Sequence, residues 1–151
     1  MEAEYNKLCK KFKLPKFDEI DSEFEISSLE NEKFLIKNIL KKILEKLEFY
    51  IDLIDSVIHP DAASLGSMYE IKSFSDDEKN NIYKLFKKLM KNDRNIMILV
   101  LENNEKEQAD FLNKFFVEWS NTKKELASYL SKMEGSWEKE TTIQEDLGYF
   151  G

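Results

Sequence analysis

The chain has 151 residues, enough for one ordinary domain that buries a core without disulfides or a metal. Its 42% hydrophobic and 13% aromatic content excludes wholesale disorder, while a formal charge of −7 argues against a general nucleic-acid or anionic-membrane binder. Four glycines and two prolines favour long elements with few turns, and 35% charged residues fit helices with solvated outer faces.

Single residues exclude further classes. Arg94 is the one arginine, so bidentate forks for phosphate or guanine are nearly absent. Cys9 alone permits no internal disulfide and His59 alone no multi-histidine metal site. No Gly-x-Gly-x-x-Gly, Walker loop or Gly-x-Ser-x-Gly occurs, so neither an enzyme nor a cofactor is expected. The longest apolar run, Ile96 to Leu101, falls far short of the roughly 20 residues of a membrane span. Charged residues interrupt Met1 to Lys13 too often for a signal peptide, so a cytoplasmic protein is expected.

In chain order, residues 2 to 13 read as a short amphipathic helix with Tyr5, Leu8, Cys9 and Phe12 on one face, ended by Pro15. Leu14 to Ile26 is an acidic connector, expected to run extended and to lay Leu14, Phe17, Ile20, Phe24 and Ile26 over a core. Ser27 with Glu30 forms a capping-box pattern that predicts the start of a central helix through Ile58. There Ile36, Leu40, Ile43, Leu47, Tyr50, Ile54 and Val57 alternate steps of four and three, and Leu44, Ile51 and Ile58 widen the stripe. Lys33, Lys37, Lys41, Lys42 and Lys46 make the polar face, in part neutralised by the connector.

His59-Pro60 stops this helix, and a histidine at a helix end interacting with terminal carbonyls is the simplest reading of His59. Residues 60 to 74 connect to the third helix and pack down through Leu65, Met68, Tyr69, Ile71 and Phe74. Ser75 with Glu78 is a second capping box, and Asp76 and Asp77 suit the first turn. The third helix runs to about Glu102 with the seam Ile82, Phe86, Leu89, Asp93, Ile96 or Met97, and Val100.

Asp93 interrupts that seam and Arg94 borders it. One reading is a buried polar site whose carboxylate binds a ligand or acts as an acid. The simpler one is an interhelical salt bridge or hydroxyl-bonded carboxylate that fixes register. Lys84, Lys87, Lys88 and Lys91 form a basic face beside the pair, read first as solvated and second as a dock for an acidic partner or a nucleic-acid backbone.

Asn104 with Glu107 caps the fourth helix, whose stripe is Leu112, Phe115, Trp119, Thr122, Leu126, Tyr129 and Met133. Gly135 breaks or weakens it, and Trp137 still packs. Residues 1–139 therefore form an all-α domain, an antiparallel helical bundle of three long helices plus a short N-terminal helix. Its widest apolar rows admit a homodimer.

Residues 140–151 lose the periodicity and read as a flexible C-terminal tail. There Gln144, Leu147 and Phe150, at first, fourth and seventh positions, resemble the sliding-clamp interacting peptide. The likeness covers only the tail, with Gly151 at the eighth position and Tyr149 one place early. The resemblance implies a DNA replication or repair accessory protein that recruits the clamp through Gln144, Leu147, Tyr149 and Phe150. The main expectation is a non-catalytic interaction module, an adaptor or regulator, with a protein partner.

Overall fold

The computed structural model describes residues 1–59, 65–139, 142 and 145. Among them the regular structure is helical throughout: α1 (Glu2–Phe12), α2 (Phe17–Phe24), a 3-10 turn (Ile26–Ser28), α3 (Leu35–Ile58), α4 (Leu65–Ile71), α5 (Asp76–Glu102) and α6 (Glu105–Ser136). The all-α class, with a short N-terminal helix and three long ones, is what the apolar periodicity predicts. No helix among the described residues is long and apolar enough to cross a membrane.

The chain divides into two compact units, Met1–Tyr50 with Leu89–Ser120, and Ile51–Lys88 with Asn121–Gly151. In the first, Ile36, Ile39, Leu40, Ile43 and Leu47 of α3 are fully buried with Leu89 and Ile96 of α5 and Leu112 of α6. These are the positions that the steps of three and four align on one stripe per helix. The two residues Asn103 and Asn104 turn the chain from α5 into α6: Asn103 takes the left-handed conformation and Asn104 Oδ1 accepts the Glu107 N–H at 3.1 Å. Gln108 Nε2 then donates to the Leu99 carbonyl at 2.9 Å across that turn.

The acidic connector is a correction to the extended reading. Residues Phe17–Phe24 are helical, with the Glu19 carboxylate accepting the Lys16 N–H at 3.2 Å and Glu25 in the left-handed region closing the end. Steps of three and four between Phe17, Ile20 and Phe24 are the helical signal, and both Ile20 and Phe24 are buried. Before α2, the Tyr5 hydroxyl donates to the Pro15 carbonyl at 2.6 Å, and burial raises its pKa well above the ordinary phenol value. Asn113 Nδ2 of α6 donates to the Phe12 carbonyl at 3.1 Å, tying down the end of α1.

Ser27 and Glu30 do not cap the central helix either. The Ser27 N–H goes to Asp21 Oδ1 at 2.7 Å, Ser28 Oγ donates to the Glu25 carbonyl at 2.7 Å, and buried Ile26 pins the 3-10 turn between them. The helix begins at Leu35, after Phe34 with φ 56°, and Asn38 Nδ2 reaches back to the Asn31 and Lys33 carbonyls at 3.3 and 3.0 Å.

In the second unit the Ser75–Glu78 box forms as predicted, with Ser75 N–H to Glu78 Oε1 at 3.1 Å and Glu78 N–H to Ser75 Oγ at 3.2 Å. The same carboxylate takes Lys132 of α6 at 2.6 Å. Phe74 is buried edge-on to Tyr129, with ring centroids 6.2 Å apart, and burial pushes the Tyr129 hydroxyl up to about 12. The connection holds a helix, α4, whose Tyr69 donates to the Ser136 carbonyl at 2.8 Å and packs on Trp137 at 4.6 Å. Gly135 does not break α6, which continues to Ser136.

Candidate functional site

The helix α5 builds two faces from one sequence. Ile82, Leu85, Leu89, Asp93 and Ile96 are buried, which completes the inner seam. At roughly 100° per residue, Ile98 stands roughly 200° around the helix from Ile96, and Leu101 follows Ile98 at the next step of three. Both are outside: Ile98 is 50% and Leu101 84% exposed, with Met97 beside them. Continuing the stripe backwards by four and three reaches Arg94 and Lys91, also exposed. The result, within the first unit, is one solvent-facing line of Lys91, Arg94, Ile98 and Leu101.

Asp93 and Arg94 connect the two faces. The carboxyl is buried, at 2% exposure, and Oδ1 accepts from Arg94 Nη1 at 2.5 Å, while the arginine side chain is 60% exposed. Because the partners are sequence neighbours, this ion pair is made within α5. It holds the guanidinium at the border of the outer stripe. A guanidinium carries five N–H donors, and Nη1 also lies 3.7 Å from Met97 Sδ on the outer side of the helix.

Of the basic face, Lys84, Lys87 and Lys91 are exposed, and Lys87 Nζ lies 5.4 Å from the Tyr83 ring centroid. Lys88 is half-buried and already engaged. Gln144, Leu147, Tyr149 and Phe150 lie outside the described residues, as does Pro60. In the tail, the pairing of Thr142 and Glu145 is recorded: each backbone N–H meets the other's side-chain oxygen, at 3.3 and 3.1 Å.

Two concavities lie on the described surface away from this stripe. One, about 300 Å³, is lined by Glu23, Phe24, Glu25, Lys42, Glu45 and Lys46. Its chief cation is already used, since Lys46 Nζ donates to the Glu23 carbonyl at 2.5 Å and sits 5.2 and 5.5 Å from the Phe24 and Trp119 ring centroids. The other, about 270 Å³ in the second unit, is lined by Val57, Ile58, Ile71, Ile82 and Tyr83, with Lys79 and Asn80 at its edge. No group of three or more His, Cys, Asp or Glu among the described residues is arranged to hold a metal ion. His59 pairs with Asp55 through Nδ1 and Oδ1 at 2.7 Å, one turn back on an exposed surface.

Sequence reasoning singled out Asp93, Arg94 and the lysines but missed the apolar half of the stripe. Its signal is present as a second row, Met97, Ile98 and Leu101, offset from the seam; a helix with one buried face needs only one row. The carboxylate of Glu23 was likewise counted as connector charge, whereas it accepts the Trp119 indole N–H at 2.7 Å. No family model matches the sequence, and neither a curated protein nor a solved structure matches the chain.

Proposed function

We propose that this protein is a non-catalytic helical interaction module that engages a protein partner through the outer stripe of α5. The supporting observation is the exposure of Ile98 and Leu101 on a helix whose inner seam is already complete. Scattered apolar residues on a surface are ordinary, but a row in helical register next to fixed positive charge is what helix-on-helix recognition uses. The buried Asp93 serves the same surface by orienting Arg94, an orientation that lowers the ordering cost of binding.

The test places a photo-crosslinking side chain at Leu101 and, as a control, at Val117, an exposed apolar position on α6. A discrete heteromeric adduct from the Leu101 position alone is the expected result. Identical adducts from both positions, or none from Leu101, would overturn the reading. A second reading rests on the tail, where Gln144, Leu147 and Phe150 carry the sliding-clamp spacing. Under it, deleting residues 140–151 abolishes clamp binding while the Leu101 adduct persists.

A further inference from the structure

We infer that the outer stripe of α5 receives an acidic amphipathic helix of a partner protein, its apolar residues on Ile98 and Leu101 and its carboxylates opposite Lys91 and Arg94. This rests on the interaction-module reading and adds the chemistry of the partner.

Charge order along the stripe carries the argument. Between Lys91 and Leu101 the one acid is Asp93, and it is turned inward and spent on Arg94. The outer line therefore shows two cations for one part of its length and bare aliphatic side chains for the other, with no carboxylate between them. A ligand that matches both halves at once is amphipathic along its own axis, and a helix provides that through side chains at steps of three and four. Its charged end is anionic, because like charges opposed at an interface cost affinity.

The first unit already holds one such helix. The segment α2 carries Asp18 and Glu19 exposed and Asp21 and Glu23 half-buried, with Glu23 accepting the Trp119 indole N–H, buries Ile20 and Phe24, and is met by the ammonium of Lys46 over the Phe24 ring. That intramolecular docking shows lysine-flanked apolar surface of this chain accommodating an acidic amphipathic helix.

Other occupants match less well. A second copy presenting the same stripe would set one exposed acid, Glu102 beyond Leu101, against the two cations Lys91 and Arg94. Anionic lipid would find only two cations and two aliphatic side chains, against the long apolar face of interfacial helices. For nucleic acid the stripe has one arginine, and its apolar half has nothing to pair with phosphate.

The experiment uses the full chain and three fluorescein-labelled designed peptides of one helical scaffold. Each has leucines at i, i+4 and i+7 followed by two charged positions one to two turns away, occupied by Glu, Gln or Lys. Anisotropy titrations are run at low and at physiological salt, with circular dichroism confirming that every variant is folded. The Glu peptide is expected to bind wild type, with affinity falling as salt rises. The pair Ile98→Asp with Leu101→Asp should weaken it about tenfold or more by placing carboxylates against leucines. Lys91→Glu should weaken it about two- to fivefold, as suits one exposed charge pair, and shift preference toward the Lys peptide. Val117→Asp should change nothing.

Equal binding of the Glu, Gln and Lys peptides, removed by the Ile98 and Leu101 substitutions, would overturn the acidic partner while leaving the interaction surface standing. Failure of all three peptides, or undiminished binding by the doubly substituted chain, would overturn both. Vesicles of phosphatidylcholine with phosphatidylserine form the last arm. Binding to them that Ile98→Asp and Leu101→Asp remove, with no peptide binding, would replace the helix by a membrane surface.

Discussion

Two short helices, α2 and α4, face the same difficulty with different means. Neither the eight residues of Phe17–Phe24 nor the seven of Leu65–Ile71 are long enough to be stable alone, since isolated helices need roughly 12 to 15 residues even with favourable sequences. The first buries Ile20 and Phe24, and the second buries no residue at all. What holds α4 is a set of edge contacts, the Tyr69 hydroxyl on the Ser136 carbonyl and the Trp137 indole N–H on Glu70 at 3.2 Å. Order in such segments is lent by tertiary contact, and burial lends more of it than hydrogen bonding, because each hydrogen bond replaces one to water.

The largest effect should come from Phe24→Ala. Its ring packs against Phe115 at 5.9 Å and Trp119 at 5.4 Å, and truncation leaves a cavity beneath Lys46. A loss of about 3 kcal/mol is expected from the usual cost of removing a buried phenyl group. Urea midpoints would show it, and a loss under about 1 kcal/mol would mean that α2 lies on its unit without contributing to it. Trp119→Phe keeps an aromatic ring there but removes the donor to Glu23 together with part of the buried indole, for an expected loss of about 1 to 2 kcal/mol.

This contrast also marks how far the sequence could be read. Periodicity over many turns identified α3, α5 and α6, because a long stripe averages out local accidents. The Asn104 and Ser75 caps were legible because nothing competes for their side chains. The Ser27–Glu30 box has the same letters and fails, since Asp21 takes the Ser27 N–H and Ile26 must stay buried. In α2 the apolar spacing of Phe17, Ile20 and Phe24 spans only two turns and is interleaved with acidic residues, too short a stripe to stand out from a connector. The outer stripe was hidden for the opposite reason. Apolar residues near an established seam are assigned to it by default, although Ile98 falls on the other side of the helix.

Tyr69→Phe should have a smaller and more local effect. Removing one partly buried hydrogen bond costs about 0.5 to 1.5 kcal/mol, and here the cost should fall on the opening of α4 more than on global unfolding. Hydrogen exchange gives the direct comparison. Amides of Leu65–Ile71 should exchange faster than those of Phe17–Phe24 in wild type, and the gap should widen in Tyr69→Phe. Equal protection of the two helices would remove the distinction between buried and edge-held segments.

The smallest expected effect isolates a single charge at the start of α5. Lys132 holds the Glu78 carboxyl below its ordinary value of 4.5, with the Ser75 N–H adding to the shift. A depressed folded pKa means that the deprotonated form favours the native state. The stabilisation is therefore complete above pH 4.5 and is lost as pH falls through the lower folded value. Glu78→Gln is the appropriate probe, because the amide oxygen can still accept the Ser75 N–H and so preserves the cap while removing the ion pair. The substitution should lower stability slightly at neutral pH and not at all near pH 2, so that the two urea-midpoint curves converge as acid is added. Curves that stay parallel would assign the role of Glu78 to its cap alone, and the contact between α5 and Lys132 would then contribute no pH dependence to the unit that contains α4.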